Sequence, residues 1–145
     1  MAPRAVINLN DFLPYQLVVL ADKIDRRTAK IARERGDLSL SQWRVMAAVA
    51  GKAGITARDV VAATPMDKGI VSRALATMVK RGLINRRASA ADARLSHLFL
   101  TARGTKLYSS MVDDVRALEG TLSTIVGKTA RTTLLTTLQA INKNL

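Results

Sequence analysis

Residues 67–101, DKGIVSRALATMVKRGLINRRASAADARLSHLFLT, decide the fold of this chain. Apolar residues recur at three- and four-residue spacing between Asp67 and Gly82, which predicts an amphipathic helix with an aspartate cap and a glycine end. Two short segments of strand character, residues 83–87 and 94–100, flank the turn-rich residues 88–93 and predict a β-hairpin. A helix followed by a basic hairpin suits a surface that enters a DNA groove and grips the backbone beside it. The stretch therefore predicts a winged helix-turn-helix, with the hairpin as the wing.

Composition and charge agree with a polyanionic partner. The 145 residues include 23 Lys and Arg against 11 Asp and Glu, a formal net charge of +12, and 48% are hydrophobic. This composition fits one compact domain or two small lobes, and the charge indicates DNA, RNA or an anionic membrane as partner. The absence of cysteine excludes disulfides, thiolate metal sites and thiol-based redox sensing. Because no apolar stretch reaches the length of a membrane span and no signal peptide is recognisable, we expect a cytoplasmic protein without membrane contact.

The residues before the decisive stretch predict three more helices. An apolar stripe with helical spacing covers residues 13–31, and the helix should begin after a cap at Asp11 and end at Gly36. Residues 39–42, SLSQ, and 56–59, TARD, have the pattern of capping boxes, which open a second helix and a short third one.

The C-terminal residues predict a long helix before Gly127 and an amphipathic helix after it. Their apolar seams consist of Leu107, Met111, Val115, Leu118, Leu122 and Ile125, then Leu134, Leu138, Ile141 and Leu145. Such seams need a partner, either within the chain or in a second copy; we favour a homodimer, because helix-turn-helix proteins commonly bind two half-sites through two-fold symmetry. The fold expected is mainly α with a small β-hairpin wing. It comprises an N-terminal dimerisation part (1–38), the winged lobe (39–101) and C-terminal dimerisation helices (102–145).

Four motifs together resemble the MarR family (multiple antibiotic resistance regulators). They are D-K-G-x-V-S-R at 67–73, K-R-G-L at 80–83, R-x-x-S-x-x-D-x-R at 86–94 and L-T-x-x-G at 100–104. The resemblance covers the chain from about Leu13 to its end. It implies a dimeric transcription regulator, usually a repressor of a palindromic operator. It also implies release from DNA by a small aromatic or phenolic ligand that binds between the dimerisation helices and the winged lobe.

The resemblance places five residues of the decisive helix against the DNA groove: Lys68, Gly69, Val71, Ser72 and Arg73. Ser72 can exchange hydrogen bonds with a base edge, whereas Arg73 can reach a guanine or, more readily, a phosphate. Gly69 permits a close approach of the helix to DNA. Val71 has two open roles, contact with a thymine methyl group and packing in the core.

The wing contributes four candidates. The resemblance assigns Arg94 to the minor groove or its phosphates, and Asp92 to the orientation of an arginine. Arg86 and Arg87 are neighbours on a strand, so they point to opposite faces. One of them should contact the DNA backbone, and the sequence does not decide which.

Other polar residues have weaker assignments. Thr56 is chiefly a helix cap whose hydroxyl could also meet a phosphate, and Arg58 is either a phosphate contact or a solvated charge. The single histidine, His97, is expected to be an ordinary strand residue, and Trp43 a core residue rather than part of a ligand pocket.

Two other functions remain to be weighed against a sequence-specific regulator. The alternative is a non-specific architectural or chromatin-associated nucleic-acid-binding protein, which the high positive charge also allows. An enzyme is not expected, because no metal constellation, nucleophile motif or phosphate-binding glycine loop occurs. No cofactor is expected beyond a small aromatic or phenolic effector.

Overall fold

The structure is a computed structural model that describes Met1 and residues 5–145. Residues 2–4, which belong to the predicted N-terminal dimerisation part, lie outside the described residues. The described elements are α1 (Leu13–Gly36), α2 (Leu40–Gly51), β1 (Ile55–Thr56), α3 (Ala57–Ala63), α4 (Lys68–Lys80), β2 (Ile84–Ala88), β3 (Ser96–Leu100), α5 (Ala102–Val126) and α6 (Lys128–Asn144). This order of helices with a small sheet confirms the predicted fold class.

A small antiparallel sheet forms the wing and attaches it to the helices. Its strand order is β1-β3-β2, and β2 pairs with β3 from Ile84↔Leu100 to Ala88↔Ser96. The hairpin is therefore the predicted one, although each strand begins slightly later than expected. Strand β1 pairs with β3 at the other edge, with Ile55 opposite Leu98. The sequence did not predict β1, because two residues are too few to show the alternation of a strand.

The chain divides into two compact units, Met1–Met111 and Val112–Leu145. The buried apolar side chains among the described residues belong to the first unit, where they come from α1, α2, α3, α4, the sheet and the start of α5. Val45, Met46, Met78 and Leu98 are at most 1% exposed. The second unit contains the rest of α5 and all of α6, and no residue of α6 is buried.

The helix caps follow the sequence with one exception. Ser39 and Gln42 form a reciprocal capping box, as do Thr56 and Asp59, and Asp67 Oδ1 accepts a hydrogen bond from the Ile70 N–H at 2.8 Å. The prediction for Asp11 was wrong. Phe12 is the N-cap of α1 and makes no side-chain cap, while the Asp11 carboxylate accepts a hydrogen bond from Asn8 Nδ2 at 2.7 Å.

A tight junction fixes α4, the wing and the start of α5 to one another. Gly82 ends α4 with φ +69°, and the Leu83 N–H donates to the Met78 carbonyl at 2.9 Å. The Thr101 hydroxyl donates to the Gly82 carbonyl at 2.7 Å and accepts from the Gly104 N–H at 2.9 Å. A Cβ atom at Gly104 would lie 2.0 Å from the Leu83 carbonyl oxygen. Only glycine therefore fits where α5 crosses the end of α4.

The second unit has its own polar contacts. Gly127 separates α5 from α6 with φ +86°. Arg131 forms an ion pair with Glu119, and its Nε donates to Ser123 Oγ at 3.1 Å. Every helix in the described part of the chain is too short or too polar to span a membrane.

Candidate DNA-binding surface

The exposed side of α4 begins at its N-terminus. Lys68, Gly69, Ser72 and Arg73 are all exposed, and helical spacing places them on one side of the helix. Val71 is 1% exposed and belongs to the core. Of its two open roles, the structure supports packing, because a side chain so deeply buried cannot reach a base.

Gly69 makes room for its neighbours at this end of α4. A Cβ atom there would lie 3.3 Å from Arg73 Nη1 and 3.3 Å from Asp67 Oδ1. The glycine therefore lets the Arg73 guanidinium lie against the first turn of the helix. It also keeps the backbone of that turn uncovered, which is what a close approach to a base pair requires.

A cleft with an apolar floor separates α3 from α4. It has a volume of about 400 Å³, and its lining residues are Ala57, Arg58, Val61, Lys68, Val71, Ser72, Leu75 and Arg86. Aliphatic side chains form the floor, and three cations together with a hydroxyl group form the rim. The cleft brings Arg58 of α3, Lys68 and Ser72 of α4 and Arg86 of the wing strand to one place.

The two arginines of β2 have different environments. Arg86 lines the cleft beside α4. The guanidinium carbon of Arg87 lies 4.5 Å from the centre of the Phe99 ring, a cation–π contact on the other face of the hairpin. Phe99 in turn lies against Gly54, 3.4 Å from the position of a Cβ atom there. Arg86 is therefore the arginine that shares a surface with the exposed side of α4.

The tip of the wing is held by its own short polar side chains. Ser89 Oγ accepts hydrogen bonds from the N–H groups of Ala91 and Asp92 at 3.2 and 3.4 Å, and Asp92 Oδ1 accepts from the Arg94 N–H at 2.9 Å. The Leu95 N–H donates to the Asp92 carbonyl at 3.0 Å. The Asp92 carboxylate thus holds the backbone of Arg94 in place, and the Arg94 side chain stays exposed.

Carboxylates and cations have different tasks on this surface. The carboxylates of Asp59, Asp67 and Asp92 each accept a backbone N–H, with contacts of 2.8–3.1 Å. The backbone and hydroxyl hydrogen bonds from Thr56 hold the pKa of Asp59 below its usual value of 3.8. By contrast, no ion pair within residues 5–145 involves the five cations of this surface, which are Arg58, Lys68, Arg73, Arg86 and Arg94. The acids order the backbone and leave the cations for a partner.

The remaining polar and aromatic candidates are structural. Trp43 is 7% exposed and stacks on Tyr108 with ring centres 5.6 Å apart, as expected for a core residue. His97 Nδ1 lies 2.8 Å from the Gly54 carbonyl oxygen, which ties the wing to the turn before β1. Among residues 5–145, no three potential metal ligands lie close enough together to hold an ion. The supporting roles of Ser89 and Phe99 had no signal in the sequence, since neither residue type is diagnostic by itself.

Comparisons with known proteins agree on one family. Residues 36–95 match the sequence model of the MarR family. The chain is similar to the transcriptional regulator HosA of Escherichia coli, with 34% identity over 93 residues that span 64% of this chain and 69% of HosA. The family consists of transcriptional regulators rather than enzymes.

Two solved structures show how far the fold is shared. The MepR–DNA complex of S. aureus matches 92% of this chain and 98% of MepR with a TM-score of 0.81 and 20% identity. CouR of Rhodococcus jostii, bound to p-coumaroyl-CoA, matches 94% of this chain and 95% of CouR with a TM-score of 0.81 and 21% identity. These two likenesses show the shared fold, and the HosA match together with the family match of residues 36–95 establishes that the chain belongs to the MarR family of transcriptional regulators.

Proposed function

We propose that this regulator binds a palindromic operator as a homodimer and acts as a repressor that a small aromatic or phenolic ligand releases. The observation that carries the proposal is the set of five cations, free of ion pairs within residues 5–145, that α3, α4 and the wing present together. Three separate elements with the same charge fit the alternating grooves and phosphates of duplex DNA.

Each element has a distinct task in this proposal. The N-terminal turns of α4 enter the major groove, where Ser72 reads a base edge while Lys68 and Arg73 contact phosphates or guanine. Arg94 at the wing tip reaches the adjacent minor groove or its phosphates. Arg86 contacts the DNA backbone between the major groove and the minor groove. Of the two arginines in β2, Arg86 and not Arg87 is therefore proposed to bind a phosphate.

The short helix α3 supplies the remaining contacts. Arg58 is exposed on the rim of the α3–α4 cleft and suits a phosphate. Thr56 is chiefly the cap of α3, because its hydroxyl accepts the Asp59 N–H at 3.2 Å and also hydrogen-bonds the Asp59 carboxylate; a phosphate would compete with Asp59 for the hydroxyl proton. MepR, which shares this fold, has been solved with DNA, which supports DNA as the partner.

Exposed apolar residues support the homodimer. Leu13, Val18 and Leu20 of α1 are 62%, 66% and 46% exposed, and Ile125 at the end of α5 is 77% exposed. Leu134 and Leu135 of α6 are 43% and 46% exposed. Exposed apolar surface on each of these helices is typical of a protein–protein interface. A second copy of the chain is the partner that the two-fold symmetry of a palindrome requires.

The α3–α4 cleft supports release by an aromatic ligand, although it lies within the winged lobe and not between the lobe and the dimerisation helices, where the family resemblance implied the ligand. Its floor of Val61 and Leu75 suits a ring, and the rim cations suit a carboxylate or phenolate. An occupant there would stand between Arg86 and DNA and compete with the operator directly. CouR, of the same fold, has been solved with a hydroxyaromatic thioester, p-coumaroyl-CoA.

The test is selection of duplexes from a random pool at near-physiological salt, followed by fluorescence anisotropy on the enriched duplex and a scrambled one. We expect an inverted repeat bound about 1,000-fold or more tightly than the scrambled duplex. Equal affinity for both duplexes would instead identify a non-specific architectural protein. In the same assay, 4-hydroxybenzoate or salicylate should compete with the operator in the unaltered protein and compete less well after Val61→Trp, which fills the cleft. Competition that is unchanged in the variant would place the ligand elsewhere.

A further inference from the structure

A second group of cations lies in the first unit, outside the proposed DNA surface. It lines a cleft of about 510 Å³ formed by the end of α1, the end of α4 and the first turns of α5. The charged residues of this cleft are Arg33, Arg35, Arg81, Arg103 and Lys106, together with Glu34 and Asp37. Cations outnumber carboxylates, so the cleft has a positive potential that the DNA-binding proposal does not use.

Helix α4 keeps this cleft away from the groove-entering residues. Arg81 follows the last residue of α4, whereas Gly69 lies in its first turn. With a rise of 1.5 Å per residue, the two ends are roughly 18 Å apart. An anion in this cleft therefore lies at the opposite end of α4 from the residues proposed to read DNA.

Arg81 is fixed at the centre of the cleft. Its Nη1 and Nη2 donate to the carbonyl oxygens of Asp37 and Gly36 at 2.8 and 2.9 Å. These carbonyls end α1, where the helix dipole would otherwise repel an anion. Arg81 thus neutralises the negative end of α1, and these bonds use two of the five N–H donors of its guanidinium.

Three further cations of the cleft remain available to bind an anion. Within residues 5–145, no ion pair involves Arg33, Arg103 or Lys106, and all three are exposed. Glu34 lies 3.8 Å from Lys30, outside the cleft, which offsets part of its charge. Leu107 is half-buried and gives the cleft an apolar patch.

We propose that this cleft binds a phosphate-bearing small molecule of nucleotide size. Its volume lies within the range of small-ligand sites, and several cations converge from two helices, as recognition of a multiply charged anion requires. The anionic groups contact Arg33, Arg103 and Lys106, and an apolar part lies against Leu107. A ligand with a single carboxylate would leave most of these charges unpaired.

The test is isothermal titration calorimetry of the full-length protein with pyrophosphate and with adenosine triphosphate, at constant ionic strength. We expect saturable binding of at least one probe. The double substitution Arg103→Ala, Lys106→Ala removes two charged side chains that hydrogen-bond the anion, so it should weaken probe binding about ten-fold or more. Lys80→Ala is the matched control, because Lys80 is exposed beside Arg81 but does not line the cleft.

A parallel measurement of DNA affinity separates this site from the proposed DNA surface. Arg94→Ala should weaken DNA binding and leave probe binding unchanged, whereas the Arg103→Ala, Lys106→Ala variant should do the reverse. Failure of both probes to bind saturably at concentrations up to about 1 mM would overturn the proposal. Equal weakening by Lys80→Ala, or loss of probe binding in Arg94→Ala, would also overturn it.

Discussion

The winged lobe and the outer helices distribute their apolar residues in opposite ways. In the winged lobe, Val45, Val60, Leu75 and Leu98 are at most 1% exposed. In the outer helices, which are the first turns of α1, the part of α5 after Met111 and all of α6, every large apolar residue is half-buried or exposed. The lobe buries its core within one chain, whereas the outer helices keep apolar surface that a single chain does not cover.

The exposed charges show the complementary pattern. The proposed DNA-binding surface of the winged lobe presents five cations that take part in no ion pair within residues 5–145, whereas Arg131 of the second unit pairs with Glu119. The winged lobe therefore contains both the core that stabilises the fold and the cations proposed to bind DNA. The outer helices contain the exposed apolar residues proposed to form the dimer. Substitutions in the lobe should change stability or DNA binding, and substitutions in the outer helices should change oligomeric state.

The largest expected effect is at Gly104, where α5 crosses the end of α4. Gly104→Ala forces a Cβ atom to within 2.0 Å of the Leu83 carbonyl unless the helix moves, so we expect a loss of about 3 kcal/mol or more in unfolding free energy. Gly120→Ala is the matched control in the same helix, because nothing lies within 4 Å of its Cβ position. Chemical denaturation measures both. Equal effects of the two substitutions would contradict the proposed junction.

Assembly should be the next most sensitive property. Val18→Asp combined with Ile125→Asp places two carboxylates on surfaces that are 66% and 77% exposed in the single chain. If a second copy covers them, desolvation of these charges should weaken the dimer about 100-fold or more, which sedimentation velocity would detect as monomers. Leu95→Asp, on the wing and 42% exposed, should leave the dimer intact. A dimer that survives the double substitution would break the comparison.

A smaller effect should separate the two arginines of β2. Arg86→Ala removes a proposed phosphate contact and should weaken operator binding about ten-fold while reducing its salt dependence by about one ion. Arg87→Ala removes the contact with the Phe99 ring and should instead lower stability by about 0.5–1 kcal/mol. Anisotropy and thermal unfolding of both variants decide the matter. The reverse result would assign the backbone contact to Arg87.

The smallest effect should be the pH dependence at Asp59. Hydrogen bonds from Thr56 lower its pKa in the folded state, so the carboxylate contributes stability above its usual pKa of 3.8 and loses it as pH falls through the folded value. Asp59→Asn should lower Tm at neutral pH, and the difference from the unaltered protein should shrink below about pH 4. A difference in Tm that is constant across that range would exclude this cause.

The sequence was sufficient for the parts of the fold that depend on local chemistry. Reciprocal caps such as Ser39 with Gln42, the glycine end of α4 and the spacing of apolar residues predicted the helices near their observed ends. Prediction failed where a competing hydrogen-bond partner had no recognisable sequence pattern. Asp11 bonds Asn8 instead of capping α1, and β1 exists only because β3 provides hydrogen-bond partners from more than 40 residues away.

The sequence pattern named candidate residues for the site, but it did not show how these residues are arranged around α4. Neighbouring positions and strand alternation placed Arg86 and Arg87 on opposite faces, but only the positions of Phe99 and the α3–α4 cleft show which arginine lies beside α4. The burial of Val71 likewise depends on the packing of α4 against α2 and α3, which one helix pattern cannot reveal. The second cationic cleft combines residues from three helices and has no motif.

The most direct test of the account is the dependence of affinity on the distance between two half-sites. The selected inverted repeat would be compared with a version that has five extra base pairs, half a helical turn, inserted between its half-sites. If the two winged lobes of one dimer reach successive major grooves about 34–36 Å apart, the insertion should lower affinity about 100-fold, towards that of a single half-site. Unchanged affinity after the insertion would contradict a dimer that reads both half-sites at once.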